Sequence, residues 1–107
     1  MTDVALIRAL KALAHPVRFR MVQEIAAAGE LSCGQLGERF KLAQPTVSHH
    51  LKLLADAQVI RVRREAQHGL LSVDRGRLAQ LLGALPETLA PARPRARRGA
   101  RAKGAAP

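Results

Sequence analysis

The chain has no tryptophan, no tyrosine and only two phenylalanines, and this scarcity of aromatic side chains excludes several kinds of nucleic-acid-binding protein. Phe19 and Phe40 are too few to build the stacking platforms on which RNA-recognition modules and single-strand binders hold splayed bases. Long hydrophobic runs are also missing, since stretches such as residues 25–28 fall far short of the ~18 apolar residues that a membrane span needs. The sequence therefore favours neither an RNA-stacking module nor a membrane protein.

Cysteine is nearly absent as well. The single Cys33 cannot form a disulfide within the chain, and Asp3 stands where a secretory signal would carry basic residues, so we expect a cytoplasmic protein. The 107 residues leave room for one domain with one small core. No Ser-His-Asp or Cys-His arrangement and no phosphate-binding glycine loop is found, so an enzyme is not expected.

Acidic residues are outnumbered by basic ones. Eighteen Lys and Arg against eight Asp and Glu give a net charge of +10, which indicates a polyanionic partner, with double-stranded DNA first. Residues 86–107 hold six of the basic residues in a stretch rich in Pro, Ala and Gly with little to bury. We expect residues 1–85 to be the folded domain and residues 86–107 a disordered basic tail, which either adds sequence-independent affinity for phosphates or only aids solubility.

Two helices are predicted at the start of the chain. Apolar residues recur at helical spacing over residues 3–14, and Asp3 is placed to cap this helix. Pro16 ends that pattern and suits the first position of a second helix, which Gly29 is placed to close.

A helix-turn-helix follows. Ser32 and Gln35 form a capping-box pattern that opens a short helix reaching Phe40, and after a brief turn Pro45 begins the next helix. A short helix, a tight turn and a second helix are the helix-turn-helix layout, in which the second helix is the recognition helix.

A β-hairpin is predicted after the recognition helix. Residues 59–64 alternate between apolar and basic side chains, the pattern of a half-buried strand with Ile60 and Val62 facing the core. Residues 65–69 are typical of a turn, and the alternation resumes over residues 71–73. A hairpin in this place is a wing, so the predicted fold is mainly α with a small β-hairpin, a winged helix-turn-helix.

Asp74 is placed to cap a last helix over residues 75–85, whose leucines form one apolar stripe. Together with the apolar stripe of residues 3–14, this stripe has more leucine side chains than the core of so small a domain can bury. We therefore expect the two helices to form the interface of a homodimer. The predicted interface residues are Leu6, Leu10, Leu13, Leu78, Leu81, Leu82 and Leu85. The alternative is that both stripes pack only on the core of their own protomer.

Two segments carry a resemblance to a known family. Residues 12–18 read Ala-Leu-Ala-His-Pro-Val-Arg, and residues 44–54 read Gln-Pro-Thr-Val-Ser-His-His-Leu-Lys-Leu-Leu. Together with the order of elements, they resemble the ArsR/SmtB family of bacterial winged-helix repressors over about residues 3–85. The resemblance implies a homodimer that binds a promoter palindrome through its winged domains, dimerises through its first and last helices, and dissociates when an inducer binds.

Residues at the start of the recognition helix are expected to enter the major groove. The candidates for base edges and phosphates are Gln44, Thr46, Ser48, His49 and Lys52. Gln44 suits adenine and the Thr46 methyl suits thymine, although Thr46 and Ser48 also commonly satisfy local backbone groups. His50 lies beside buried positions, so we expect it to be half-buried.

The wing is expected to contact flanking phosphates or the minor groove. Its candidate residues are Arg61, Arg63, Arg64 and His68. Replacing Arg63 with alanine is expected to weaken binding to all sequences alike. The alternative for any single arginine of the wing is that it lies on a solvated strand face.

The effector is not identified by the sequence. Family members that sense arsenic or cadmium carry a Cys-x-Cys pair where residues 31–33 here read Leu-Ser-Cys, and those that bind zinc or nickel use an Asp-x-His start that is broken here after Asp74. We therefore expect no metal and no cofactor. Cys33 is either a thiol sensor at a helix start or a small packing residue, and an organic inducer or none at all remains open.

One departure concerns the end of the recognition helix, where the family often has glycine. Here the residues are Asp56, Ala57 and Gln58, and a left-handed non-glycine residue would cost ~1 kcal/mol.

A second function class also stays open: an architectural DNA-binding protein, which would bind long DNA with little sequence preference.

Overall fold

Nine helices and strands follow one another in the computed structural model, which describes residues 2–92. They are α1 (Asp3–Leu13), α2 (Pro16–Ala28), β1 (Leu31–Ser32), α3 (Cys33–Phe40), α4 (Gln44–Asp56), β2 (Ile60–Glu65), β3 (His68–Val73), α5 (Arg75–Gly83) and α6 (Leu85–Leu89). The strands form one antiparallel sheet in the order β1-β3-β2. The predicted class, mainly helical with a β-hairpin wing, is confirmed, with one more strand than expected.

The first two helices begin and end close to the predicted positions. Thr2, and not Asp3, caps α1, because the extended backbone of Thr2 lets its hydroxyl accept the Ala5 N–H at 3.2 Å while Asp3 is already helical. Pro16 is the first residue of α2. Gly29 closes α2 with φ +83°, a backbone conformation that residues with a Cβ rarely adopt.

The additional strand, β1, joins the wing to the helix-turn-helix. Leu31 pairs with Leu71, and Ser32 pairs with Leu70 of β3. Ser32 also caps α3: its hydroxyl accepts the Gln35 N–H at 3.0 Å, and the Gln35 side chain accepts the Ser32 N–H at 2.9 Å. The predicted capping box is thus confirmed, and its first residue belongs to the sheet as well.

The hairpin strands are longer than predicted and the turn is shorter. Pairing runs from Ile60 opposite Val73 to Glu65 opposite His68, which leaves a turn of two residues. Every residue from 61 to 68 is exposed, because the hairpin extends past the helical body. The expectation that Val62 faces the core is therefore wrong, and 47% of its surface is exposed.

The core draws side chains from α1 to α5 and from all three strands. Its largest fully buried members are Met21, Ile25, Leu36, Leu54, Leu71, Leu81, Val47 and Val59. Leu81, and Leu6 at 4% exposure, are two of the predicted interface leucines, and both are covered by the core of their own protomer. The other five predicted leucines are half-buried against this core.

The end of α4 is held by a left-handed residue after all. Gln58 has φ +63°, its N–H donates to the Ala55 carbonyl at 2.9 Å, and the Val59 N–H donates to the Leu54 carbonyl at 3.0 Å. These two bonds are the Schellman pattern that glycine usually closes.

Order continues beyond the predicted domain boundary at residue 85. Asp74 caps α5 as predicted, with its carboxylate accepting the Arg77 N–H at 3.0 Å, but α5 ends at Gly83 and α6 follows. The remainder of the predicted tail, residues 93–107, lies outside the described residues. Among residues 2–92, no helix is both long enough and apolar enough to span a bilayer.

Candidate nucleic-acid interface

The helix-turn-helix is held by close packing of α3 on α4. Lys41 ends α3 in the left-handed conformation, and the Leu42 N–H donates to the Gly37 carbonyl at 3.3 Å, which reverses the chain in three residues. A Cβ at Gly37 would lie 3.0 Å from Gln44 Oε1 and 3.6 Å from Val47 Cγ2, so a side chain at this position would have to displace the end of the Gln44 side chain.

The recognition helix α4 has a buried side and an exposed side. Val47, His50, Leu51 and Leu54 are buried and fasten the helix to the core. The five residues predicted to read bases or phosphates are all exposed: Gln44, Thr46, Ser48, His49 and Lys52. The structure therefore brings this whole set to the solvent side of one helix, the arrangement that entry into a major groove requires.

Within that exposed set, Gln44 and Lys52 each have a neighbour in the adjacent part of the helix-turn-helix. Gln44 lies over Gly37, and Lys52 Nζ forms an exposed ion pair with Asp56 at 3.2 Å. An exposed pair of this kind contributes little to folding, so Lys52 can exchange Asp56 for a phosphate at small cost.

His50 is the one buried polar residue of the described part of the chain, at 9% exposure, which confirms its expected position. Its ring lies 5.0 Å from that of His15 and 6.0 Å from that of His49, centroid to centroid. Arg18 Nη1 lies 3.5 Å from His50 Nδ1. Burial lowers the pKa of His50, and the neighbouring His15, Arg18 and His49 lower it further.

In the wing, two of the three arginines form ion pairs with carboxylates of the same chain. Arg61 Nε donates to Asp74 Oδ2 at 3.0 Å, which ties β2 to the residue that caps α5. The pKa of Asp74 is lowered, first by the Arg77 backbone N–H and then by Arg61. Arg61 therefore already has an anionic partner before any DNA is present.

Arg63 is held by two carboxylates. Its Nη2 lies 3.1 Å from both oxygens of Glu30, and its Nη1 lies 3.2 Å from Glu65 Oε2. Glu30 and then Glu65 raise the pKa of Arg63 above its usual value. Arg64 and His68 are exposed and make no ion pair within residues 2–92, so they are the wing residues most available to a phosphate.

Two residues at this surface were missed by the sequence analysis. Arg18 donates to the Ala12 carbonyl at 2.6 Å and to the Lys11 carbonyl at 3.2 Å, besides its approach to His50. Glu30 partners Arg63 across 33 positions. The contacts of Arg18 with His50 and of Glu30 with Arg63 join residues more than 30 positions apart, and no local sequence pattern signals such contacts.

Cys33 occupies the first turn of α3 and is half-buried. Its Sγ would lie 3.2 Å from a Cβ at Gly69, so the thiol packs closely on the backbone of β3. Among residues 2–92, no three His, Cys, Asp or Glu side chains are grouped to hold a metal ion.

Together, the exposed polar face of α4 and the adjacent basic hairpin define a winged helix-turn-helix DNA-binding domain. A helix-turn-helix domain family model matches residues 13–63. Over 84 residues the chain is 37% identical to the biofilm growth-associated repressor of Agrobacterium fabrum, covering 78% of this chain and 69% of that protein. The chain therefore belongs to the ArsR/SmtB family of winged helix-turn-helix transcriptional repressors.

Solved structures agree with this assignment. The transcriptional repressor BigR from Xylella fastidiosa is 31% identical, with a TM-score of 0.60 over 81% of this chain and 87% of that one. An ArsR family transcriptional regulator at 20% identity shows the same fold with a TM-score of 0.72, over 83% of this chain and 91% of that one. The family consists of DNA-binding regulators and not of enzymes. The chain spans about two thirds of the length of its curated relatives, 69% and 66% for the first two.

Proposed function

We propose that the chain is a homodimeric repressor that binds a pseudo-palindromic operator and leaves it when an effector binds. The observation that carries this proposal is the two-sided α4, whose apolar side is anchored in the core while five polar residues face solvent. A helix fixed in this way presents side chains to base edges with little loss of conformational freedom on binding. As a DNA-bound regulator, it would work in the cytoplasm beside the chromosome.

In the proposed complex, Gln44, Thr46, Ser48, His49 and Lys52 contact bases and phosphates of the major groove. Arg64 and His68 supply the first contacts of the wing to flanking phosphates. Arg61 and Arg63 join them by exchanging carboxylate partners for phosphates. Sequence preference would thus come from α4, and general affinity from the wing.

The proposed dimer uses the apolar surface that the protomer leaves uncovered. On α1, Val4 and Ile7 are 65% and 50% exposed, and Leu89 on α6 is 74% exposed. A mainly apolar groove of about 520 Å³ between α2 and α5 is lined by Leu13, Leu78 and Leu82, three of the predicted interface leucines, and by Phe19. Apolar surface of this extent is typical of a protein interface.

A substitution at Ile7 tests the dimer. Ile7→Glu is expected to give a monomer in sedimentation equilibrium, because a carboxylate in an apolar interface is costly to bury. Val62→Glu is the matched control, since Val62 is equally exposed but lies on the wing. A dimer that persists in Ile7→Glu, or that is lost equally in both variants, would contradict the proposed interface.

The experiment that tests the function is fluorescence anisotropy with the chain's own upstream DNA and with a scrambled duplex, across a range of salt. A preference of ~10³ or more for the upstream duplex is expected of a specific regulator. Equal binding with a steep salt dependence would instead favour the architectural protein. Addition of zinc, arsenite or peroxide to the bound complex then tests which class of effector releases it, and iodoacetamide reactivity tests the proposed sensing role of Cys33.

A further inference from the structure

Arg18 connects two parts of the protein that have separate roles in the proposed repressor. Its Nε and Nη2 donate to the Ala12 and Lys11 carbonyls, which lie in the last turn of α1 and have no partner within that helix. A cation at this end also complements the helix dipole. The guanidinium thereby fixes α2 to the C-terminal end of α1.

The remaining side of Arg18 faces the recognition helix. Nη1 lies 3.5 Å from Nδ1 of His50, which is buried on the side of α4 opposite the base-reading residues. Arg18 is therefore the polar connection from α1, the helix proposed to contact the second protomer, to α4.

This connection requires a neutral imidazole. A guanidinium has donors only, so His50 Nδ1 must keep its lone pair to interact favourably with Arg18. His15 has the same requirement, since its Nδ1 accepts the Val17 N–H at 3.1 Å and so caps α2. A proton on His50 would replace the attraction with a repulsion between two cations.

We propose that Arg18 is a positioning residue for the recognition helix, holding α4 against the end of α1 through His50, and that this connection opens when His50 takes up a proton. This inference rests on the proposed function, because its consequence is a loss of operator specificity in mild acid. We call the set of Arg18, His50 and His15 the α1–α4 joint.

The direction of the pH effect follows from the groups that face His50. They are His15 from the α1–α2 junction, Arg18 from α2 and His49 from α4 itself, and no residue of α1, α3 or β2 supplies an opposing carboxylate. All three lower the pKa of His50 below 6.5, as burial does. The unfolded chain therefore binds more protons in that range, so the stability of the joint is present above about pH 6.5 and is lost as the pH falls.

The test compares specificity and not affinity alone, because extra positive charge in acid strengthens binding to any DNA. A duplex is first selected from a random library at neutral pH, and the ratio of Kd for a scrambled duplex to Kd for the selected duplex is measured between about pH 7.5 and pH 5.5. In the wild-type protein we expect this ratio to fall about tenfold, which lies within the usual range of coupling between two sites in a protein.

Three variants test whether the pH dependence of specificity arises from the α1–α4 joint. His50→Gln keeps an acceptor for Arg18 but does not titrate, so its ratio should fall less with decreasing pH than that of the wild type. Arg18→Ala should have a low ratio already at pH 7.5 and little further change. Arg20→Ala is the matched control on the same helix, and it should keep the ratio and the pH profile of the wild type. A His50→Gln profile identical to the wild type, or an Arg18→Ala ratio equal to that of Arg20→Ala, would overturn the proposal.

A second measurement applies if Arg18→Ala does not fold. In an NMR titration of the free wild-type chain, the His50 ring should titrate below pH 6.5 and the amide signals of α4 should shift with the same midpoint. A His50 pKa at or above 6.5 would contradict the joint. If the library yields no preferred duplex, the proposed operator binding fails, and this titration still decides the joint.

Discussion

The recognition helix and the wing both present polar and basic side chains to solvent, but they are held in opposite ways. The backbone of α4 is anchored by Val47, Leu51 and Leu54 in the core, and its outward side chains are largely uncommitted. The wing has an exposed backbone from residue 61 to residue 68, and two of its three arginines are held by carboxylates. The position of α4 is thus fixed by burial, whereas the wing is held by strand pairing and carries two of its arginines in exposed ion pairs.

This difference has a consequence for how each region contributes to binding. Uncommitted side chains on a rigid helix can select among base edges, whereas an arginine already paired with a carboxylate gains little net attraction from a phosphate. Pairing in the wing also lowers the attraction of the domain for DNA of any sequence. We therefore expect the acids that neutralise the wing to reduce binding that does not depend on sequence.

The largest effect on the free energy of unfolding is expected from a substitution that removes one of the buried side chains of α4. Leu54→Ala should lower the free energy of unfolding by about 2–5 kcal/mol, because Leu54 is fully buried and leaves a cavity. Val62→Ala in the wing should change it by less than about 0.5 kcal/mol, as exposed positions usually do. Urea denaturation followed by circular dichroism measures both, and similar losses in the two variants would remove the contrast between the regions.

A smaller effect is expected from a base-reading residue. Gln44→Ala should reduce discrimination at one base pair by about 1–3 kcal/mol, while binding to scrambled DNA stays nearly constant. The measurement is anisotropy with the selected duplex and with duplexes altered at single positions. Equal weakening on selected and scrambled DNA would show that Gln44 contacts the backbone only.

A substitution at Gln58, between α4 and the wing, is expected to stabilise the fold. Gln58→Gly should raise the free energy of unfolding by about 1 kcal/mol, because Gln58 adopts a left-handed conformation that glycine adopts freely. Gln58→Ala is the control, since it retains a Cβ and should not stabilise the chain. Urea midpoints at equal slope report the difference, and a destabilised Gln58→Gly would mean that the Gln58 side chain itself contributes to the fold.

The smallest effect distinguishes two neighbouring arginines. Arg64→Ala should lower the dependence of log K on log salt by about 1, as expected for one lost phosphate contact. From the sequence alone, Arg63 carries the same expectation, but its pairing with Glu30 and Glu65 predicts a smaller change. Binding to scrambled DNA at several salt concentrations gives both slopes. If Arg63→Ala changes the slope more, its carboxylate partners are released on binding.

Local chemistry made much of the fold predictable. Pro16, Gly29, the Ser32 capping box and Asp74 each mark a helix end through their own backbone or side-chain preferences, and the structure places those ends there. The exposed residues of α4 were also predictable, because helical periodicity assigns each position to a side of the helix. Thr2 and Asp3 are both good caps, so the sequence could not choose between them.

Features that depend on distant residues were not predictable. A strand of two residues, β1, is too short to show a period, and the exposure of Val62 depends on how far the hairpin extends past the helices. Arg18 lies 32 positions from His50, and Arg63 lies 33 positions from Glu30. Only the assembled fold determines which of the leucines on α1 and α5 face the core, and it places Leu6 and Leu81 there.

Ser32 has a consequence for where this domain tolerates change. Its backbone belongs to the sheet that carries the wing, and its hydroxyl caps α3 of the helix-turn-helix. One residue inserted directly after Ser32 would turn α3 by about 100° relative to the sheet, since a helix completes a turn in 3.6 residues. Insertions at the hairpin turn, by contrast, lengthen the wing and leave that angle unchanged. The length of the wing can therefore change without disturbing the rest of the fold. The angle between the wing and the helix-turn-helix cannot, because Ser32 belongs to both.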